Sequence, residues 1–272
     1  MKASAKHHLP DTNRLSVLVA TFILAYGMTH FIVLPVREFD IQFAGFYLAA
    51  DIGANTLISL IVAALATSGS DWLLRDHPKL VARSAWQHSL LPALAAWVIG
   101  ILLAELPFGV TWMMSLATGS LTLTLIVIAE YIAIDPEDLR YPLAGAWLSA
   151  VAYVLFLILA IALRAVNTRL VLMIPALLLA SFLVCLRVLQ LRLHGEWLPF
   201  DALLIAFLMS QLTAALHYWP LTPIQFGALQ VGLIYGFTSL IGNIAEGKTM
   251  RQSLAEPLIG LALAICVAIW LP

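Results

Sequence analysis

Charge is what this sequence has least of. Lys, Arg, Asp and Glu make up 11% of its 272 residues, against about a quarter in a soluble domain, so water is not the main solvent. The net charge is −1 and the 14 basic residues form no run. Nothing here would follow a phosphate backbone, which excludes nucleic acid as a partner. Cysteine is nearly absent. Cys185 and Cys266 each sit inside an apolar run, match no metal spacing, and read as small apolar filler rather than a disulfide. There is no Walker sequence to power transport with ATP, no paired-aspartate motif, no His-Glu-x-x-His and no nucleophile elbow around a serine. No lysine falls within an apolar run to carry a retinal linkage. Catalysis is the weakest of the functional readings, and no metal or other cofactor is indicated.

What is present is apolar length. Hydrophobic residues make up 62% of the chain and mean hydropathy is +0.97. A hydrocarbon core of about 30 Å needs about 20 apolar residues in a helix. Nine segments approach or exceed that length: 15–35, 43–66, 88–107, 110–134, 143–163, 170–186, 200–218, 224–245 and 254–271. A spanning strand would need only about ten residues in alternation, so helices are expected. The first run is longer than a signal-peptide core and has no clear small-residue cleavage site after it, which makes it a retained helix.

Basic residues orient the set. With the N-terminus inside, Lys2, Lys6, Arg14, Arg75, Lys79, Arg83, Arg140, Arg187, Arg192, Lys248 and Arg251 lie on the inner side, and only Arg37, Arg164 and Arg169 on the outer. That asymmetry is the positive-inside pattern. The expected fold is an all-α polytopic transmembrane helical bundle of about nine spans, N-terminus inside and C-terminus outside. Residues 1–14 form a cytoplasmic segment and 15–272 a single transmembrane domain. The longest inner connection, 67–87, mixes Trp72, Leu73, Leu74 and Leu80 with Asp71, Arg75, Asp76 and Lys79. It reads as an amphipathic segment on the membrane surface or as an ordinary loop with aromatic anchoring.

Short matches recur. Ile41-Gln42-Phe43 opens the second span and Ile224-Gln225-Phe226 the eighth; Ile128-Ala129-Glu130 precedes Pro142-Leu143-Ala144-Gly145 much as Ile244-Ala245-Glu246 precedes Pro257-Leu258-Ile259-Gly260. Each joins spans of like orientation, so a repeat built on them would be parallel, unlike the inverted repeats of many transporters.

An intramembrane carboxylate is costly enough to be a functional candidate by default. Asp51 is the clear case. Tyr47, Asp51, Asn55 and Ser59 recur every four residues, which on a helix makes one polar face. That face binds a proton or substrate, or else fixes packing through interhelical hydrogen bonds. His30, Glu105 and His217 fall at similar outer depths and would form a titratable cluster if their helices adjoin; nothing in their spacing demands haem or metal. Glu130 with Tyr131, and Glu246 with Asn243, read as interface residues at inner span ends. On the eighth span Ala228, Gly232 and Gly236 form a small-residue ridge for close helix packing.

The stretch 218–257 carries Trp219-Pro220-Leu221-Thr222-Pro223, then Phe226-Gly227, a Gly-rich span, and Glu246-Gly247-Lys248 through Arg251 to Glu256. It resembles part of an uncharacterised family of polytopic bacterial membrane proteins with no assigned activity. The resemblance implies a multi-pass bacterial membrane protein and transfers no activity; the expected setting is the inner membrane, with the lipid bilayer and possible membrane proteins as partners. Two roles stay open: a non-catalytic accessory or assembly subunit, or a small-solute or lipid transporter using the Asp51 face.

Overall fold

A computed structural model describes residues 10–28, 37–43, 46–52, 54–75, 77, 80 and 85–270. Nine α-helices lie within them: α1 Thr12–Met28, α2 Ala54–Leu74, α3 Leu90–Glu105, α4 Val110–Ile132, α5 Tyr141–Ala165, α6 Leu170–Arg192, α7 Pro199–His217, α8 Pro223–Ala245 and α9 Met250–Trp270. Seven, from α3 with its preceding 3₁₀ turn (Ala85–Ser89) to α9, are long and apolar enough to cross a membrane; α1 and the Ile58–Leu74 part of α2 are shorter apolar helices. Leu, Ile, Val and Phe side chains stand exposed along these helices, among them Leu121, Phe207, Leu258 and Ile269. That arrangement suits a hydrocarbon surround and not water. Among the described residues there is one sheet, an antiparallel hairpin of β1 Arg37–Phe43 with β2 Phe46–Ile52, in register Arg37↔Ile52 to Phe43↔Phe46.

The hairpin corrects the expected second span. A helix does not run from 43 to 66; α2 begins at Ala54 and continues to Leu74. The physical reason lies in the stretch 38–43, where Glu, Asp and Gln alternate with Phe, Ile and Phe, a period-two pattern that suits a strand. Only two residues separate it from a second β-prone run, the spacing of a tight hairpin. The segment 67–74 is correspondingly the end of α2 and not the start of a loop.

The tripeptide match has no shared structure. Ile41-Gln42-Phe43 lies on β1, whereas Ile224-Gln225-Phe226 opens α8. Ahead of the second copy stand Thr222 and Pro223. The Thr222 hydroxyl accepts from the Gln225 amide at 3.4 Å, and the Gln225 side chain accepts from the Thr222 amide at 3.0 Å. This reciprocal cap, with proline as the first helical residue, fixes a helix start that the first copy lacks. The other pair of matches also diverges: Pro142 opens α5, whereas Pro257 lies inside α9.

The helices gather into two compact units, Met1–Ile134 and Asp135–Pro272. In the first, α2 packs mainly on α3, and α4 on α3 and α1. Ser59 of α2 faces Gly100 of α3, where an added Cβ would lie 2.6 Å from the Ser59 Cβ. The Tyr26 hydroxyl of α1 donates to the Ala96 carbonyl in the same layer. In the second, α8 packs on α9 and α5, and α6 on α7 and α5. The α8–α9 seam interlocks in both directions: a side chain at Gly232 would strike Ala264, and one at Gly260 would strike the Tyr235 ring. The turn between these helices needs Gly247 in the left-handed region at φ 79, where the Lys248 amide closes on the Asn243 carbonyl at 3.1 Å.

Candidate functional site

The residues singled out by sequence take separate places. Tyr47 and Asp51 lie on β2, paired with Gln42 and Glu38 of β1, while Asn55 and Ser59 belong to α2. The four therefore share no helical face, because the chain changes from strand to helix between Asp51 and Asn55. Ser59 is buried in the α2–α3 contact. His30 lies outside the described residues. Glu105 ends α3 in the first unit and is exposed; His217 ends α7 in the second, half-buried, its ring edge-on to Tyr218 at 5.4 Å. Ala228, Gly232 and Gly236 lie along α8, with Gly232 against Ala264 and Gly236 3.7 Å short, at Cβ, of the Pro257 carbonyl.

Two ionic centres form instead, one in each unit. In the first, the 3₁₀ turn ahead of α3 carries His88 onto Glu130 near the end of α4, with Nδ1 and Oε2 3.1 Å apart. The two side chains are 7% and 0% exposed. Beside them the His77 ring stands edge-on to Tyr131, with centroids 4.8 Å apart. Glu130 is thus not a carboxylate reaching water at an interface, because the histidine turn covers it. The contact with His88 is what lets a carboxyl tolerate full burial.

In the second unit the hub is Asn243, near the end of α8 and 1% exposed. Its amide oxygen accepts from Arg192 Nη2 and from Lys248 Nζ, each at 2.7 Å. Its amide nitrogen donates to Glu256 Oε2 at 3.2 Å and to the Ser253 carbonyl at 3.3 Å. All four hydrogen-bonding positions of the amide are used. The last contact has a specific cause: Pro257 has no N–H to give the carbonyl four residues back, and Asn243 supplies the missing donor. Around the hub Arg192 Nε donates to Glu246 at 2.6 Å, Lys248 meets Glu246 at 2.7 Å, and the Tyr235 hydroxyl donates to Glu256 at 3.0 Å. Hydrogen bonds from Arg192 and Lys248 hold the Glu246 carboxyl well below its usual range, at about 2. Two cations face two carboxylates, so the centre carries no surplus charge. On α6 the buried Arg187 donates to Gln190 at 2.6 Å.

Beside this network, α5, α6 and α8 border an open cavity of about 350 Å³. Its α5 wall is the stripe Pro142, Ala146, Ser149 and Tyr153; α6 adds Val188, Leu191 and Arg192, and α8 adds Tyr235, Thr238 and Ser239. Tyr153 and the Thr238 hydroxyl are 2.6 Å apart. Ser239 approaches Glu256 without reaching hydrogen-bonding geometry, and its hydroxyl is buried with no partner among the described residues. At the mouth the Tyr141 and His194 rings stack with centroids 5.8 Å apart. In the first unit α1, α2 and Leu123 border a more apolar cavity of about 260 Å³.

In sequence Asn243 reads as an interface residue and Tyr235 and Ser239 do not stand out, although the signal is there. Tyr235, Ser239 and Asn243 recur every four residues, the spacing that drew notice at Tyr47 to Ser59. What the sequence does not show is that Arg192, 51 positions away, closes on Asn243, since that contact depends on how α6 and α8 pack.

The DUF5656 family, a family of proteins of unknown function, matches residues 34–271, and the chain belongs to it. The match reaches across both units and well beyond the C-terminal stretch that carried the resemblance. No curated protein and no solved structure matches the chain.

Proposed function

We propose that this member of the DUF5656 family is a nine-span protein of the bacterial inner membrane, N-terminus inside and C-terminus outside, serving as a non-catalytic accessory or assembly subunit. For the span count, the 21 residues of α2 rise about 31 Å and the 17 of α1 about 25 Å, the first enough to cross and the second close to it. In that orientation both ionic centres lie at inner helix ends and the β1–β2 hairpin lies outside.

The subunit role rests on one observation: the buried and half-buried ionisable side chains of both ionic centres, and Arg164 at the end of α5, are taken up by partners in their own unit. Glu130 meets His88, Arg192 meets Glu246 and Asn243, and Arg164 donates to the carbonyls of His217 and Trp219 at 3.0 and 3.2 Å. Such groups set packing and register and offer little to a reaction. The peripheral helix α9 packs on α8 alone among its stronger contacts and leaves Leu258, Ile259, Leu263 and Ile269 exposed to lipid or a neighbouring span. The test is purification of the native protein in polymer discs, with mass spectrometry of everything that accompanies it. A protein partner at fixed stoichiometry, cross-linked through cysteines placed at Leu258 or Leu263, supports the subunit role. A chain that purifies alone and moves a solute across vesicles overturns it.

The α5–α6–α8 cavity favours a second reading, the handling of a small solute or lipid. It does so at Ser149, Tyr153 and Ser239 rather than along an Asp51 face. Solute flux that survives Asp51→Asn and is lost in Tyr153→Phe would select this reading.

A further inference from the structure

We infer that the α5–α6–α8 cavity is a binding site for a neutral, hydroxyl-bearing group such as a sugar or glycerol head. The inference stands independently of the subunit role, because it rests on the lining of one cavity. At about 350 Å³ the space falls in the range of small-ligand sites, roughly 300 to 1,000 Å³.

The hydrogen-bonding groups then define the ligand. Thr238 has one hydroxyl proton, and it points to the Ile234 carbonyl at 2.8 Å. The 2.6 Å contact with Tyr153 is therefore donated by the tyrosine, which leaves the lone pairs of the Tyr153 oxygen to accept. Ser239, 2% exposed, brings a hydroxyl that lies near Glu256 but makes no hydrogen bond of good geometry among the described residues. It both donates and accepts, and burial makes leaving it unmatched costly. A ligand hydroxyl, itself donor and acceptor, satisfies both residues.

Charge excludes the common alternatives. Arg192 lines the cavity but commits Nε to Glu246 at 2.6 Å and Nη2 to Asn243 at 2.7 Å, with Glu256 3.8 Å from Nη2. With Lys248 and the two glutamates the local charge sums to zero, so a phosphate or carboxylate gains no net attraction. The lining also includes Tyr141 and the exposed His194, whose rings stack with each other and add aromatic surface suited to the C–H side of a sugar. Access is lateral. Pro142, Ala146, Ser149 and Tyr153 follow i, i+4, i+7, i+11 spacing along one face of α5, and Pro142 and Ala146 are exposed. A headgroup would enter from the side of α5 and reach Tyr153 about 16 Å along the helix.

The experiment uses the full chain in polymer discs or nanodiscs, read by native mass spectrometry and by thermal unfolding. The probes are monoglucosyl diacylglycerol, methyl glucoside and phosphatidic acid. The expected result is one glucolipid per chain, bound roughly 3- to 10-fold more weakly in Ser239→Val and in Tyr153→Phe, as loss of one or two neutral hydrogen bonds implies. Tyr153→Phe, which removes one oxygen and keeps the ring, carries the test should Ser239→Val not fold. Displacement by methyl glucoside assigns the site to free sugar, and resistance to it assigns the site to a lipid headgroup; both keep the hydroxyl chemistry. Preferential retention of phosphatidic acid overturns the inference. So does glucolipid binding by both folded variants at the wild-type level, or absence of any bound glucoside. A missing protein partner would count against the subunit role alone and would leave this result untouched.

Discussion

The two units solve the same problem, an ionisable group beside apolar helices, in opposite ways. The first seals one carboxyl against one histidine, with Glu130 at 0% and His88 at 7% exposure. The second spreads two carboxylates, an arginine and a lysine around a buried asparagine and leaves the rim wet, with Arg192 and Glu246 at 25% and 31%. Depth decides how much a single partner matters. A sealed pair loses a buried short-range partner that water does not replace when one member goes, whereas a network at a wet rim lets water replace what is lost.

The sharpest way to break this comparison is to remove one half of the sealed pair. His88→Leu leaves the Glu130 carboxyl buried beside an apolar side chain and is expected to destabilise the first unit by about 3–5 kcal/mol. The double variant His88→Leu/Glu130→Leu should recover part of that loss, since neither member is then left without the other. Denaturant unfolding in detergent measures both. Equal loss in the single and double variants would show that the pair is not coupled.

The corresponding change in the second unit is Asn243→Leu, with a smaller expected cost of about 2–3 kcal/mol. It strips a partner from Arg192, Lys248 and Glu256, which water reaches, and from the Ser253 carbonyl, which Pro257 has already deprived of its helical donor. Pro257→Ala restores that donor, so Asn243→Leu should cost about 1 kcal/mol less in the Pro257→Ala background. Strict additivity of the two would mean that the asparagine does not compensate for the proline.

The smallest effect is a pH dependence at the rim. Glu246 titrates at about 2 in the folded chain, below its ordinary value near 4.5. Its contribution is complete above the ordinary value and fades as pH falls from there through about 2. Wild-type melting temperature should drop over that window by a little more than that of Glu246→Gln, which has no carboxyl to protonate there. Parallel pH profiles would show that the Arg192 and Lys248 contacts contribute nothing.

The helical part of this fold was legible because apolar length is a direct record of helix length in a bilayer. Expected and observed boundaries for α3 to α9 differ by no more than six residues, the largest gap being the C-terminal end of α6. The exception is instructive. Residues 43–52 are apolar enough to count toward a span, but the alternation of 38–43 gives them a strand to pair with, and composition alone does not register pairing. The ionic centres were legible only as isolated polar residues. Glu130 and His88 are 42 positions apart and Arg192 and Glu246 are 54 apart, and no periodicity within one helix reports which neighbour it will meet. Asp51 drew attention by standing inside an apolar run, the same feature that its strand explains.

The nine-span orientation, with both ionic centres inside, is tested most directly by labelling single cysteines from the outer face of intact cells. Cys185 and Cys266 are first replaced by alanine, and one cysteine is then placed at Asp40, Val166, Glu196 or Thr249. The account predicts that a membrane-impermeant maleimide reaches Asp40→Cys on the hairpin and Val166→Cys after α5, and spares Glu196→Cys and Thr249→Cys until the membrane is opened. Protection of Asp40→Cys while Val166→Cys still labels would contradict it, placing the hairpin inside and leaving only the seven helices from α3 to α9 as spans.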